Sequence, residues 1–433
     1  MIIVETQREF KKFAEDFHDC NSIVIPIQCD DNKHPRDTKL CLIYVRMFKD
    51  TLDEYILPFR HSDTINLDVG RISDIWTPKD VYTYDKKKLL HFFDWKNIFD
   101  VQLNYYMRTN EPLLIEDLDT NAHDYFNRTY YDRPNVNCVI PIMKHIEWCR
   151  KLVEKLKPAS LGTRNEESVY NVYNSDVIES LQHIESNGLH TIKDMVYSEY
   201  NPYTSTGRPS NRFGGINFAA LNKTDGSRKQ FISRYGKEGI LVEMDYDAYH
   251  LRLIGDIVGY EFPKGSVHKH MGKSYGVDYE ESKKLSFQYL YGGIPYEVSQ
   301  INPFFCKVDD YVEKVWKTYK SDKFIVSDIY NKRIYRKNLS DMNKNKVFNY
   351  LIQLMETENN MRMLVELIPE IEGYKSKLVL YSYDSFLFDF YLPDGLKFLK
   401  KVKGIIEQSG KFPVKVSKGW NYHEMKDITR KFK

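Results

Sequence analysis

The sequence predicts a multidomain protein that combines α/β and α+β folds. A chain of 433 residues is long enough for two to four domains, each with its own hydrophobic core. Helix-like and strand-like spacings of apolar residues alternate through residues 1–115. In the second half, two short apolar strands, each associated with an aspartate, flank a helical and basic region. We therefore expect a mixed fold with its chemistry in the second half.

Composition and charge narrow the class of protein. Hydrophobic residues make up 42% and charged residues 29% of the chain, which is typical of a globular protein. The net charge of +2 leaves room for a basic groove beside acidic faces. The six cysteines show no C-x-x-C pair or zinc-ligand spacing, which predicts reduced thiols in a cytosol. Without a signal-peptide pattern or a run of about 18 apolar residues, we expect a cytoplasmic protein and no membrane contact.

The N-terminal part carries clear local signals. Apolar spacing predicts a helix, two strands and two later buried elements at 5–17, 22–27, 40–45, 89–93 and 99–103. Phe10, Phe13 and Phe17 share one side of the first helix. Helical spacing returns over 135–157, whereas the polar, Asn/Ser-rich segment 159–185 is predicted to be mobile or extended and is a candidate contact for a partner.

Two features of the second half carry chemistry. A short apolar strand, 240–245, ends on Asp245, where a sheet can present a carboxylate to a cleft. Lys283, Phe287 and Tyr291 fall at i, i+4 and i+8, so a cation and two aromatic rings share one helix face. Together these features suit a metal-bound triphosphate and a stacked base.

Further polar residues follow the same order along the chain. Arg208 lies in a turn-rich segment, and His268 precedes the helix that carries the lysine. Asn349 and Gln353 are spaced i, i+4 on a predicted helix, and Asp384 lies in a tight turn between two apolar strands. Taken singly, each feature has a commoner structural explanation, such as a surface turn, a capping histidine or a solvated helix face. Their combined order indicates nucleotidyl transfer.

Such a reaction needs carboxylates from separate strands. Two of them can hold two Mg²⁺ ions about 3.5–4 Å apart, which activate a 3′-hydroxyl and offset charge on the leaving pyrophosphate. A lysine and a histidine can contact the phosphates, and an aromatic ring can stack on a base.

The order of segments resembles the polymerase region of the family A, DNA polymerase I-like enzymes over about residues 195–430. The segments that carry this resemblance are Thr206-Gly207-Arg208-Pro209-Ser210, Asp245-Tyr246-Asp247-Ala248-Tyr249-His250-Leu251-Arg252 (motif A), Ser266-Val267-His268, Lys283-x3-Phe287-x3-Tyr291-Gly292 (motif B), Ile329-Tyr330-Asn331-Lys332-Arg333, Asn349-x3-Gln353 and Tyr383-Asp384-Ser385 (motif C). The resemblance implies a right-hand polymerase of palm, fingers and short thumb, preceded by an RNase H-like exonuclease-type domain. The implied domains are 1–120 (vestigial 3′–5′ exonuclease-like), 121–200 (short thumb), 201–262 with 365–433 (palm) and 263–364 (fingers and connecting helices).

The resemblance also implies an activity and a role for each matching residue. The activity is template-directed extension of a primer 3′-hydroxyl with dNTPs. The implied catalytic residues are Asp245, Asp384 and Lys283. The implied ligands of two Mg²⁺ ions, with Mn²⁺ as the alternative, are Asp245, Asp384 and the carbonyl of Tyr246. The implied nucleotide contacts are His268, Lys283, Phe287, Tyr291, His250 and Tyr246. The implied DNA contacts are Arg208, Arg228, Asn349, Gln353, Lys332 and Arg333. Expected partners are primer–template DNA, dNTPs and a processivity factor or other replisome protein.

Departures from the family pattern leave some properties open. His250 replaces the motif A glutamate that screens against a ribose 2′-hydroxyl, so sugar selection is in doubt. Tyr279 stands where motif B begins with arginine, and Ser385 stands where motif C has glutamate. The first strand, 23–28, lacks the Asp-x-Glu that an exonuclease needs, so we expect no proofreading.

Two alternatives remain at this stage. His250 and Ser385 would also fit a ribonucleotide-using relative of the primase or single-subunit RNA polymerase type, although Phe287 stands where RNA-making relatives carry tyrosine. The second alternative is a catalytically silent protein that holds primed DNA. The joint presence of Asp245, Asp384 and a motif B lysine argues against this alternative.

Overall fold

The computed structural model describes residues 1–30, 32–48, 53–68, 70, 75, 79–114, 142–156 and 164–432. These residues divide into two compact units, Met1–Gln182 and His183–Lys433. Both units combine helices and strands, which confirms the predicted mixed class. The finer division into exonuclease-like, thumb, palm and fingers domains stays a prediction.

The first unit contains a six-stranded sheet. Its strands are β1 (Ile2–Ile3), β2 (Ser22–Gln28), β3 (Leu40–Met47), β4 (Asp53–Pro58), β5 (Val81–Thr83) and β6 (Ile98–Asp100), in the order β1-β4-β3-β2-β5-β6. The central three strands form an antiparallel meander, and the outer strands join it in parallel. Every residue of β2 and β3 is buried, which explains why both read as continuous apolar runs rather than alternating patterns. The two predicted strands are confirmed.

Helices pack around this sheet. They are α1 (Gln7–His18), α2 (Lys86–Leu90), α3 (Val101–Thr109), α4 (Ile142–Leu156) and α5 (Arg164–Val172), and α6 (Ile178–Asn187) continues into the second unit. The first helix begins with a capping box in which the side chains of Thr6 and Glu9 satisfy each other's backbone amides. Phe10, Phe13 and Phe17 are buried on one face, as their spacing predicts.

The prediction that the polar segment 159–185 is mobile or extended is wrong for its described part. Its described part is helical, comprising α5, a π-helical turn over Tyr173–Val177 and the start of α6. Tyr170, Tyr173, Val177 and Leu181 recur at three- or four-residue intervals and are buried. A narrow apolar stripe is enough to hold a helix against a core even when most of its residues are polar. Residues 157–163 and 135–141 of the predicted segments lie outside the described residues.

The second unit is organised around a five-stranded antiparallel sheet. Its strands, with the smaller ones of this unit, are β7 (Leu189–His190), β8 (Met195–Val196), β9 (Tyr200–Asn201), β10 (Ser210–Phe213), β11 (Ile216–Asn217), β12 (Gly239–Tyr246), β13 (Phe324–Val326), β14 (Arg333–Tyr335), β15 (Lys377–Ser382), β16 (Ser385–Tyr391), β17 (Val414–Gly419) and β18 (Lys426–Asp427). The order in the large sheet is β15-β16-β12-β17-β18. The central strand β12 is buried throughout except at Asp245, which is partly exposed.

The helices of this unit build a second core. They are α7 (Tyr249–Ile257), α8 (Val267–Tyr275), α9 (Tyr279–Gly292), α10 (Tyr296–Ile301), α11 (Pro303–Asp322), α12 (Lys344–Ile371) and α13 (Gly395–Ile406). Leu251, Met271, Leu290, Val308 and Ile352 bring five of them into one buried cluster. Among the described residues, no helix is both long enough and apolar enough to cross a membrane. The described cysteines are free thiols, and Cys138 lies outside the described residues.

Candidate active site

Strand pairing brings the two predicted metal-binding aspartates together. In the register of β12 and β16, Asp245 lies opposite Ser385, and the amide of Tyr246 donates to the carbonyl of Asp384 at 3.0 Å. Tyr383 and Asp384 form the tight turn between β15 and β16. Both aspartates therefore lie at the same end of neighbouring antiparallel strands.

The electrostatics of this pair match a cation site. Burial, followed by the charges of Asp384 and Glu243, raises the pKa of Asp245 to about 7. Burial and the charge of Glu356 raise the pKa of Asp384 in the same direction. Partly buried carboxylates that repel one another are stabilised by a divalent cation, and oxygen ligands suit Mg²⁺. The donor set therefore fits the predicted metal.

The main-chain N–H and C=O groups of Tyr246 are directed towards Asp384. Its N–H is directed at Asp384, and in an extended strand the N–H and C=O of one residue point to the same side. Its side chain is buried, stacks on the ring of Tyr249 at 4.2 Å and donates its hydroxyl proton to the carbonyl of Ile406 at 3.0 Å. The carbonyl, rather than the phenol, is thus the group that could act as a ligand.

A third carboxylate, Glu243, was missed by the sequence analysis. It precedes Asp245 by two residues on β12, so both side chains point to one face of the sheet. Its Oε1 accepts hydrogen bonds from Ser385 Oγ at 3.2 Å and from the hydroxyl of Tyr422 at 2.9 Å. Ser385, which stands where the resembling family has a glutamate, therefore holds a glutamate supplied by the neighbouring strand. The signal in the sequence was the spacing of two residues between Glu243 and Asp245, which places both side chains on one face of a strand.

A second aspartate of this segment, Asp247, has a different environment. Its carboxylate lies 2.9 Å from Lys415 Nζ and 3.5 Å from the guanidinium of Arg252. Burial opposes protonation of Lys415, but the contact with Asp247 outweighs it and raises the pKa of the lysine. Asp247 is thus neutralised by two cations.

The helix α9 carries the predicted phosphate and base contacts. Lys283 is exposed, and the rings of Phe287 and Tyr291 are parallel with centroids 6.0 Å apart. His268 on α8 is buried, with its ring 6.1 Å from Phe287 and 5.7 Å from Tyr279. Burial lowers the pKa of His268, and the nearby Lys283 contributes in the same direction. The predicted lysine, histidine and rings therefore lie close to one another.

Arg208 and His250 meet at a buried glutamate that the sequence analysis did not single out. The guanidinium of Arg208 lies 2.9 Å from Glu356 Oε2, and His250 Nε2 lies 3.3 Å from the same oxygen. Arg208 also covers the ring of Tyr383 at 3.7 Å. Tyr383 has a φ of 61°, which a non-glycine residue adopts only when its surroundings enforce it, and Asn360 Nδ2 donates to its carbonyl at 2.6 Å. The turn that carries Asp384 is thus held from two sides.

The structure places three further predicted DNA contacts, Asn349, Gln353 and Arg228, in two different surroundings. Asn349 and Gln353 are on α12, and Asn349 Nδ2 donates to the carbonyl of Tyr291 at 3.2 Å, which joins this helix to the end of α9. Arg228 is buried, and its guanidinium donates to the carbonyl of Leu221 at 2.8 and 3.0 Å. The Arg228 guanidinium is therefore bound within the protein.

Lys332 and Arg333 are also held by the protein. Lys332 is 1% exposed beside Glu358, and burial lowers its pKa to about 7. Arg333 is half-buried, with its guanidinium 4.6 Å from the centroid of the Phe324 ring. A phosphate contact by Lys332 requires this side chain to leave its buried position, so its assignment as a DNA contact stays a prediction.

No family model matches the sequence, and no curated protein matches it. Among solved structures, the chain is similar to the POL domain of Pol1 from M. smegmatis in complex with DNA primer-template and dNTP. The two share 14% sequence identity with a TM-score of 0.64, and the similarity covers 98% of this chain and 99% of that chain. The chain therefore has the fold of a DNA polymerase domain, and both of its units fall within the matched region.

Proposed function

We propose that this protein is a template-directed DNA polymerase of the family A type that extends a primer 3′-hydroxyl with dNTPs. One observation carries the proposal. Asp245 and Asp384 come from separate segments and lie side by side, Asp245 near the end of β12 and Asp384 in the turn before β16, and each carboxylate has a raised pKa because it is buried near other carboxylates. The polymerase fold and the Lys283–Phe287 face of α9 support it.

The proposed mechanism is two-metal nucleotidyl transfer. Asp245, Asp384 and the Tyr246 carbonyl are the ligands that we assign to two Mg²⁺ ions, with Mn²⁺ as an alternative. When bound, such ions lower the pKa of the primer hydroxyl and offset charge on the pyrophosphate. Lys283 and His268 contact the triphosphate, whose oxygens gain charge as the bond to pyrophosphate breaks.

The same proposal assigns positions to the base and the DNA. Phe287 packs on the incoming sugar and base, and Tyr291 lies near the templating base. Asn349 and Gln353 contact the primer–template, and a processivity factor is the further partner that we expect to bind this chain.

The first unit is proposed to be a vestigial exonuclease-like domain without proofreading. Among the residues of β2, Ser22–Gln28, there is no carboxylate to bind a metal. The antiparallel meander extended by parallel strands supports an RNase H-like arrangement. Purified protein that trims a mismatched primer end, in an assay lacking other nucleases, would show that this part of the proposal is wrong.

Primer extension tests the main proposal. Purified protein is incubated with a labelled primer on a DNA template, with Mg²⁺ or EDTA, and with dNTPs and rNTPs in separate reactions. We expect template-dependent extension by dNTPs that EDTA abolishes. Extension by rNTPs alone would place the chain with RNA-making enzymes, and binding of primed DNA without extension by either set would favour a silent role.

Glu243→Gln is expected to weaken the metal site while leaving the fold intact. The glutamine carbonyl can still accept from Tyr422 and Ser385, but the negative charge next to Asp245 is lost. We expect a rate of dNTP incorporation about tenfold lower, equivalent to about 1.4 kcal/mol, and a higher Mg²⁺ concentration at half-maximal rate. Glu238→Gln, at an exposed position just before β12, is the control. An unchanged Mg²⁺ dependence in Glu243→Gln would contradict a role at the metal site.

A further inference from the structure

The buried carboxylate of Glu356 is the centre of a charged cluster beside the site. It lies within α12 and is fully buried, and a carboxylate without a cation in such a place is strongly destabilising. Arg208 compensates through two contacts, Nε at 2.9 Å from Oε2 and a terminal nitrogen that donates to Oε1 at 3.2 Å. Burial raises the pKa of Glu356, but His250 and then Arg208 outweigh it, so the net shift is downward. Glu356 is thus an ionised anchor.

The imidazole of His250 is fixed between this anchor and α9. Its Nε2 lies 3.3 Å from Glu356 Oε2, and its Nδ1 contacts the hydroxyl of Tyr291. The Nε2 atom thus lies at ion-pair distance from the carboxylate, and the Nδ1 atom shares a hydrogen bond with Tyr291. The two rings meet edge to face, with centroids 5.9 Å apart and an interplanar angle of 82°. Each nitrogen of His250 therefore faces a residue of another helix, Glu356 on α12 or Tyr291 on α9.

The held pair of rings borders the proposed nucleotide position. His250 lies in the first turn of α7, directly after the segment that carries Asp245. Tyr291 lies parallel to Phe287, the residue to which we assign contact with the incoming sugar. A ribose 2′-hydroxyl that enters between these groups meets an imidazole that is held in place by its contacts with Glu356 and Tyr291. Inserting the hydroxyl then costs a clash or an unpaired polar group.

We propose that Glu356, together with Arg208, is a positioning residue that holds His250 against Tyr291, and that this held pair excludes ribonucleotides. The inference rests on the proposed polymerase function and adds a basis for its choice of sugar. The resembling enzymes have a carboxylate at the position of His250. In this protein that position holds an imidazole, and the carboxylate behind it is that of Glu356 on α12. Sugar selection is retained by a different set of residues.

Single-nucleotide incorporation tests the inference. The kcat/KM values for dCTP and rCTP are measured opposite a template guanine for the wild type, Glu356→Gln, Tyr291→Phe, His250→Ala and the double variant H250A/E356Q. We expect the wild type to prefer dCTP, and Glu356→Gln and Tyr291→Phe each to lower that preference about tenfold, the scale of coupling between contacting residues. In the double variant, the loss should equal that of His250→Ala alone, because Glu356 acts through His250. Glu366→Gln, at an exposed position of the same helix, should keep the wild-type ratio.

The outcomes separate this inference from the function on which it rests. A wild type that incorporates neither nucleotide overturns both proposals. A wild type that uses dCTP and rCTP equally, or a dCTP preference unchanged in Tyr291→Phe and Glu356→Gln, overturns the inference and leaves the polymerase proposal intact. Tyr291→Phe removes one oxygen and keeps the ring, so it decides the question if Glu356→Gln does not fold. Additive effects of H250A and E356Q would also overturn a role for Glu356 through His250.

Discussion

Asp245→Asn is expected to lower the rate of dNTP incorporation by at least about 10³-fold. Asparagine keeps the size of the side chain and the pairing of β12 with β16, but it removes the charge that a metal ligand needs. Loss of one preorganised electrostatic group from an active site typically costs on the order of 10²–10³ in rate, and loss of a metal ligand removes several such interactions at once. Asp384→Asn should have an effect of the same order. Single-turnover incorporation at saturating dNTP measures both variants.

Asp310→Asn is the matched control for this experiment. Asp310 is an exposed aspartate of α11, so its substitution changes the net charge equally without touching the proposed site. We expect it to extend primers at the wild-type rate. DNA binding is measured in parallel, because a protein that merely holds primed DNA would be indifferent to Asp245→Asn. Extension by Asp245→Asn within tenfold of the wild type would contradict the two-metal assignment.

The same substitution is expected to stabilise the metal-free protein. Folding raises the pKa of Asp245 to about 7 from an unfolded value of about 3.9, so the native state binds more protons than the unfolded state between these pH values. Stability is therefore lost as the pH rises from 4 to 7, and the full penalty is present above pH 7. Asparagine carries no such penalty. The Asp245 side chain is 33% exposed, and after a reduction for solvent screening we expect a gain of about 1–3 kcal/mol at pH 8.

Metal ions should reverse the order of stability. Urea unfolding with EDTA at pH 8 is expected to show Asp245→Asn as the more stable protein, and the difference should shrink as the pH falls towards 4. Adding Mg²⁺ should raise the unfolding midpoint of the wild type and have little effect on the variant, because a ligand that binds only the folded state stabilises it by mass action. Equal stabilisation of both proteins by Mg²⁺ would place the ion elsewhere.

The elements of the candidate site could be predicted from local pattern. The apolar run that ends at Asp245, the tight turn at Asp384 and the spacing of Lys283, Phe287 and Tyr291 depend on neighbours a few residues away, and the structure contains the strand, the turn and the helix. The buried phenylalanines of α1 follow from the same short-range periodicity.

Other features of the structure could not be predicted from the local sequence pattern. The described part of segment 159–185 is helical because a few apolar residues pack against a core, although its composition indicated the opposite. Lys332 looked like a surface cation in a basic stretch, but the fold buries it beside Glu358. Composition records which residues are present and not which of them a neighbouring element covers.

The sequence by itself determined which residues could carry the chemistry, because helix and strand periodicities and turn residues act over one or two turns of chain. Only the tertiary structure decided which of them meet. Asp245 and Asp384 adjoin through strand pairing, Ser385 holds Glu243 across that pairing, and Glu356 gathers Arg208 and His250 from two distant segments. A buried carboxylate must find its cations wherever packing brings them, and no local pattern records that choice.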